Sequence, residues 1–215
     1  MPLQNRVTPE GDIVAVAARG TMMGNRGGAL HDAERRLGRR RWVSKQWICC
    51  RLAFNDRHRQ VMAPNRYTEL FFLDEATALA AGHRPCFECR RSDFMRFAEL
   101  WGKLHGRSGR ASVAEMDGVL HAERVDAAGG KRTWRERLDA LPVGTFAHID
   151  DQPVLVAPTG MRAWSMAGYG AASPLPGDRI VEVLTPRTAV AVMEAGYSPM
   201  LHASAKGGPV PRQSR

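Results

Sequence analysis

The sequence predicts an α+β fold. Short apolar runs that suit strands are scattered along the chain, four stretches carry the apolar spacing or capping residues of helices, and the two kinds do not alternate regularly as they would around a parallel sheet. The expected arrangement is a small strand/helix module, stapled at the Cys-x-x-Cys knuckle of Cys86 and Cys89, followed by a mixed helix and hairpin region.

Residues 12–18, DIVAVAA, read as the first strand. The next stretch, RGTMMGNRGG (19–28), is rich in glycine and reads as a loop. Residues 41–54, RWVSKQWICCRLAF, hold Trp, Val, Ile and Phe and suit a strand. Its alternation places Ile48, Cys50, Leu52 and Phe54 on one face, and Cys49 and Arg51 on the other. QVMA (60–63) is a candidate hairpin partner, and TELFF (68–72) a further short strand. A two-turn helix is expected over LDEATALAAG (73–82), with Asp74 as N-cap and Gly82 closing it. A longer helix is expected from about Glu88 to Leu104, with Phe94, Phe97, Leu100, Trp101 and Leu104 on its core face. Residues 111–125 read as a third helix. GTFAHID and PVLVAP flank the turn at Asp150, Asp151 and Gln152 and read as a hairpin, and RIVEVLT (179–185) as a strand. Thr185 is the expected cap of a last helix with Pro186 in its first turn and Gly196 at its end. The organisation expected is a basic region over 1–110, an α+β region over 111–203, either separate from the first or continuous with it, and a disordered tail over 204–215.

The net charge of +9 is unevenly spread. Residues 35–66 hold ten Lys/Arg against the single acid Asp56, whereas from 111 onward the count is eleven against eleven. A one-sided basic field points to a polyanion partner, DNA or RNA, with Arg39, Arg40, Arg41, Lys45, Arg90 and Arg91 as the candidate contacts. No apolar run approaches the ~20 residues of a membrane span, and the N-terminal MPLQNRVTPEG has no apolar core of a signal peptide. A cytoplasmic protein without membrane partners is therefore the expectation. In a reducing compartment, four cysteines including a Cys-x-x-Cys suggest metal binding before disulfides.

A Cys-x-x-Cys turn directs two thiolates at one ion about 2.3 Å away, the distance zinc takes. The basic neighbours Arg84, Arg90 and Arg91 favour thiolate formation. The string FFLDEATALAAGHRPCFECRR, residues 71–91, is similar to the end of the zinc-binding domain of the bacterial Ada DNA-repair proteins, through Phe72, Ala78, Leu79, Ala80, Ala81, Gly82, Arg84, Pro85, Cys86 and Cys89. That resemblance implies a zinc site completed by cysteines from an upstream strand, one of which accepts a methyl group from a DNA phosphotriester, with basic residues holding the DNA. In this chain the upstream cysteines, Cys49 and Cys50, are adjacent rather than spaced by three. Neighbours on a regular strand face opposite ways, so one ion takes only one of them. Cys50 shares a face with Ile48 and Leu52 and is the expected ligand, alongside Cys86 and Cys89. Cys49 is left as a candidate reactive thiol. His58, His83 and His121 are candidates for a fourth ligand, with His121 carried in the expected set.

Two other readings stay open. His121 and Glu123 form a His-x-Glu pattern which, with the knuckle, contains the parts of a zinc deaminase or hydrolase centre: a zinc ligand and a carboxylate that activates water. Alternatively the cysteines hold no metal and the chain is a partner-binding module.

Overall fold

The computed structural model describes residues 1–56 and 60–206. It is a mixed α+β structure of two six-stranded sheets and four helices. The first sheet uses β1 (Gln4–Val7), β2 (Ile13–Ala15), β3 (Met22–Asn25), β4 (Ile48–Arg51), β5 (Leu70–Phe72) and the two-residue β6 (Arg84–Pro85), in the order β2-β1-β5-β3-β4-β6. Its pairs β1/β5 and β4/β6 are parallel and the rest antiparallel. The helix α1 (Glu75–Ala80) lies between β5 and β6 in sequence, and α2 (Arg91–Leu104) and α3 (Val113–Arg124) follow. The second sheet, antiparallel throughout, uses β7 (Trp134–Arg137), β8 (Phe146–Ile149), β9 (Gln152–Ala157), β10 (Gly160–Ser165), β11 (Gly168–Ser173) and β12 (Ile180–Val183), in the order β11-β10-β9-β8-β12-β7. The helix α4 (Arg187–Glu194) closes the fold. Among the described residues no helix is long and apolar enough to cross a membrane.

All six residues of α1 are buried, which its small side chains permit. Ala76 and Ala80 pack with Phe146 and Leu155 of the second sheet, Ala78 with Val7, Ile13 and Phe72 of the first, and Leu79 with Phe94 and Trp101 of α2. Asp74 caps this helix as expected: it accepts from Thr77 N at 2.9 Å and from Thr77 Oγ1 at 2.8 Å. Its other oxygen accepts from Tyr169 Oη and His202 N, tying the C-terminal segment to the same point. Gly82 ends the turn after α1 with φ +86°, and a side chain there would collide with Arg124.

Several elements depart from the sequence reading. The glycine-rich stretch 19–28 is not merely a loop, because Met22–Asn25 form β3 in the interior of the first sheet. Gly24 is required there by close approach: a Cβ would lie 2.1 Å from Ile48 O and 2.9 Å from the Phe72 ring. The strand expected over 41–54 is confined to Ile48–Arg51, and QVMA forms no strand. The long helix starts at Arg91, after the knuckle turn, and Leu104 at its end is exposed. Thr185 does not cap α4; its hydroxyl accepts from Phe146 N, and Pro186 stands at the N-cap position. The expected hairpin is present as β8 and β9, with Asp150 and Asp151 at positive φ in its turn. Residues 204–206 belong to an ordered 3-10 turn, Ala203–Lys206, in which Ser204 Oγ accepts from Tyr169 N; the rest of the expected tail lies outside the described residues.

Candidate metal centre

The parallel ladder of β4 and β6 sets the centre. Ile48 pairs with Arg84 and Cys49 with Pro85, and Cys86 N donates to Cys49 O at 2.9 Å. The next step along the ladder brings Cys50 beside Cys86. The chain then turns through the knuckle, with Arg90 N donating to Cys86 O, and carries Cys89 to the same place. The sulfur atoms of Cys50, Cys86 and Cys89 lie within 4.8 Å of one another and are buried. Three close, buried thiols of this kind could coordinate a metal ion.

The surroundings gather negative charge on one of these sulfurs, Cys86, while Cys50 and Cys89 are shifted upward. Arg51 N donates to Cys89 Sγ at 3.4 Å. Cys86 is held well below the usual thiol range, first because the Cys50 and Cys89 thiols donate to it, and further by the amides of Cys89 and Glu88. Cys50, as the donor to Cys86, is pushed up. Sharing one ionised sulfur among neighbouring thiols is the arrangement a cation would relieve. All three cysteines open onto a cleft of about 440 Å³, walled by Met23, Ile48 and Phe71 from the sheet and by Leu52, Phe54 and Val61 from the following loop. Asn25, Tyr67, Glu69 and Glu88 add polar groups to its lining; Glu69 accepts from Met62 N at 2.7 Å.

Cys49 lies on the opposite face of β4. It is fully buried among Val7, Leu70 and Phe72, and burial pushes its thiol up, so it is a neutral interior group with no access to a substrate. Arg90, expected to contact nucleic acid, is buried as well. It ion-pairs with Glu75 at 2.7 Å and Asp93 at 2.9 Å, and Nη1 donates to Cys49 Sγ at 3.6 Å. Burial works against its charge, but the Glu75 carboxylate outweighs it and the net shift is upward. Arg84 is likewise committed to the interior, in a two-point pair with Asp117 at 2.8 Å for each contact. Both arginines fix the knuckle to the fold: Arg84 through α3, Arg90 through the start of α1. Their role was hidden in the sequence because their acidic partners lie far along the chain or on another element.

Among the described residues, His83 and His121 do not complete the cysteine group. His83 points to the other side of the sheet, 4.6 Å from the Phe72 ring and 5.1 Å from Trp47, and burial together with Arg26 and Arg124 keeps it neutral. His121 sits 5.5 Å from the Trp42 ring, its Nδ1 3.2 Å from Arg124; burial and then Arg124 and Lys45 lower its pKa. His58 lies outside the described residues. Glu123 is also committed elsewhere: its carboxylate accepts from Thr188 N at 2.9 Å and Thr188 Oγ1 at 2.7 Å, supplying α4 with the cap that Pro186 lacks. His121 and Glu123 are therefore corrected from ligand and catalyst to an aromatic contact and a helix cap.

On the Cys49 side of the sheet Trp47 is clamped between two guanidinium groups. Arg26 lies 4.0 Å over one ring and Arg124 3.9 Å over a ring of the same indole. Arg124 donates to Gly82 O and Lys45 O, and Arg26 to Gly11 O. The backbone oxygen of Trp47 accepts from Arg84 N, so the clamp holds the start of β4 against β6. Arg39, Arg40, Arg41, Lys45 and Arg91 are exposed, with Arg91 4.6 Å over the Phe87 ring. Comparison with family models, with curated proteins and with solved structures finds no match to this chain.

Proposed function

We propose that this protein binds zinc through Cys50, Cys86 and Cys89 in an Ada-like module, and that its basic N-terminal half contacts DNA or another polyanion. The observation that carries the reading is the convergence of three buried thiols from a strand and a knuckle. Thiolates are the donors that zinc takes in tetrahedral sites. When bound, the ion supplies charge to hold the sulfurs deprotonated and a link between β4 and the knuckle. The chain's own residues do the rest: the ladder presents Cys50, the amides of Arg51, Glu88 and Cys89 steady the sulfurs, and Arg84 and Arg90 anchor the turn. The polyanion part rests on the ten-to-one charge ratio in residues 35–66 and on the exposure of Arg39, Arg40, Arg41 and Lys45.

Elemental analysis of protein purified without chelator tests the first part. About one equivalent of zinc per chain is expected, and well under one equivalent defeats it. Fluorescence anisotropy with a DNA duplex tests the second. Binding should weaken steeply with salt, and replacing Arg39, Arg40 and Arg41 with Gln should reduce the log–log slope by about 0.9 for each phosphate left without its cation. No binding at low salt would reduce the basic stretch to a solvated surface.

A further inference from the structure

Resting on the polyanion reading above, we infer that the basic segment carries a base-binding pocket, in which an unpaired base of a single nucleic-acid strand stacks on Trp42 while Arg132 and the arginines before Trp42 hold the phosphates. A second concavity, of about 440 Å³, shares no lining residue with the cysteine cleft. It is lined by Trp42, by His121 and Ala122 of α3, by the loop over 125–129 and by Arg132. Its volume is that of a small-molecule site. Trp42 is half-buried there and held from the protein side: its ring meets Trp47 at 6.0 Å and, edge on, His121 at 5.5 Å. Gly129, at φ +86°, lets the loop come close to the indole, since a Cβ there would lie 3.3 Å from Trp42 Cη2. An indole held in this way is a platform on which any base can stack.

His121 adds direction. Arg124 Nη2 lies 3.2 Å from its Nδ1, and a guanidinium only donates, so Nδ1 accepts and Nε2 carries the ring proton. Burial, then Arg124 and Lys45, lower its pKa and keep the ring neutral at pH 7. It therefore offers one hydrogen-bond donor, which suits an acceptor on the edge of a base. Charge selects the occupant. The one acid of the lining, Asp126, is spent on its own turn, accepting from Ala128 N at 2.9 Å and Gly130 N at 2.8 Å. Arg132 is exposed and held across the lining by a bond from Nη1 to Ala122 O at 2.7 Å. Arg39, Arg40 and Arg41, exposed as well, run along the chain directly into Trp42. A single strand uses both features, the ring for a base and the cations for phosphates, whereas an uncharged apolar ligand would use the ring alone.

The test uses the full-length protein and two fluorescent strands of equal length and charge, oligo(dT) and a strand of abasic spacers, titrated by anisotropy at low salt. Oligo(dT) should bind about fivefold or more tighter than the abasic strand, the range for stacking one base. Trp42→Leu should remove that preference and leave abasic binding as in wild type, while Trp42→Phe, which keeps a ring, should retain it. Ala122→Leu fills the pocket from an exposed helix position and should also remove the preference, so the test stands even where Trp42→Leu fails to fold. Equal affinity of wild type for the two strands, or binding of the duplex alone, overturns the pocket while the polyanion reading stands. A preference for oligo(dT) that survives in Ala122→Leu and in folded Trp42→Leu places the base elsewhere and overturns it too. Free dTMP that displaces oligo(dT) at equal concentration makes the ligand a nucleotide and overturns the strand. If neither strand nor the duplex binds, the polyanion reading fails, and this inference with it.

Discussion

The two faces of β4 carry the same residue type side by side and give it opposite environments. Cys50 looks toward Cys86 and Cys89, beside backbone amides and an open cleft. Cys49 looks into a closed core of Val7, Leu70 and Phe72, against the buried Arg90–Glu75 pair. The first gathers three sulfurs, so that Cys50 donates to Cys86 and Cys86 takes the charge; the second buries a single thiol that stays neutral. Chemistry here is therefore assigned by strand alternation and by which face the knuckle covers, not by the presence of cysteine.

The sharpest way to break this comparison is to exchange the two thiols for hydroxyls. Cys50→Ser is expected to lose the bound metal, while Cys49→Ser keeps about one equivalent, as read by elemental analysis after desalting. Chelator should lower the melting temperature of wild type and Cys49→Ser but leave Cys50→Ser nearly unmoved. Metal loss in Cys49→Ser alone would reverse the two faces.

Next in size is the ion pair behind Cys49. Glu75→Gln leaves Arg90 buried without its main counter-charge and should destabilise the fold by about 3–5 kcal/mol in denaturant titration. Its metal stoichiometry under native conditions should be unchanged, since Glu75 touches none of the three thiols of the centre.

A smaller effect separates capping from catalysis on α3. Glu123→Ala should cost about 0.5–2 kcal/mol, the range for removing a helix cap, and leave metal content as in wild type. Loss of metal in Glu123→Ala or His121→Ala would restore the deaminase-like arrangement that the structure takes apart.

A pH-dependent effect concerns Lys131, which donates to Ala80 O and whose pKa is pushed from 10.5 down to about 7, first by burial and then by Arg26. A base with a depressed folded value binds fewer protons folded than unfolded, so its contribution to stability rises with pH across that interval. Well below pH 7 both states are protonated and the full cost of the buried charge is present. The stability advantage of Lys131→Met over wild type should therefore be largest below pH 7, and shrink as pH rises through 7 toward 10.5. A pH-independent difference would show that Lys131 is not desolvated.

The parts legible in the sequence were those where one local rule acts alone. Alternation placed Cys50 and Cys49 on opposite faces, Asp74 announced α1, and the spacing of Phe94, Phe97 and Trp101 gave the buried face of α2. The parts missed were set by distant partners. Gly24 reads as a turn former until Ile48 and the Phe72 ring are seen to fill the space beside it. β7 is an edge strand of sequence WRER, whose side chains alternate between half-buried and exposed, so it carries no apolar run. Arg90 reads as surface charge because Glu75, its partner, stands fifteen residues earlier, on a helix buried on every side.

The clamp on Trp47 has a consequence for folding. Two adjacent cysteines give the chain a decoy, because a slip of one residue between β4 and β6 would offer Cys49 to the knuckle and turn Cys50 away. A thiophilic ion would reward either alignment and could trap the wrong one. Trp47 precedes both cysteines, and its indole fits one slot, between Arg26 and Arg124. A slipped strand would have to pull that ring out of its slot and give up the bond from Arg84 N to Trp47 O. The clamp thus acts as a proofreading element, disfavouring the misaligned chain at a position that never touches the sulfurs.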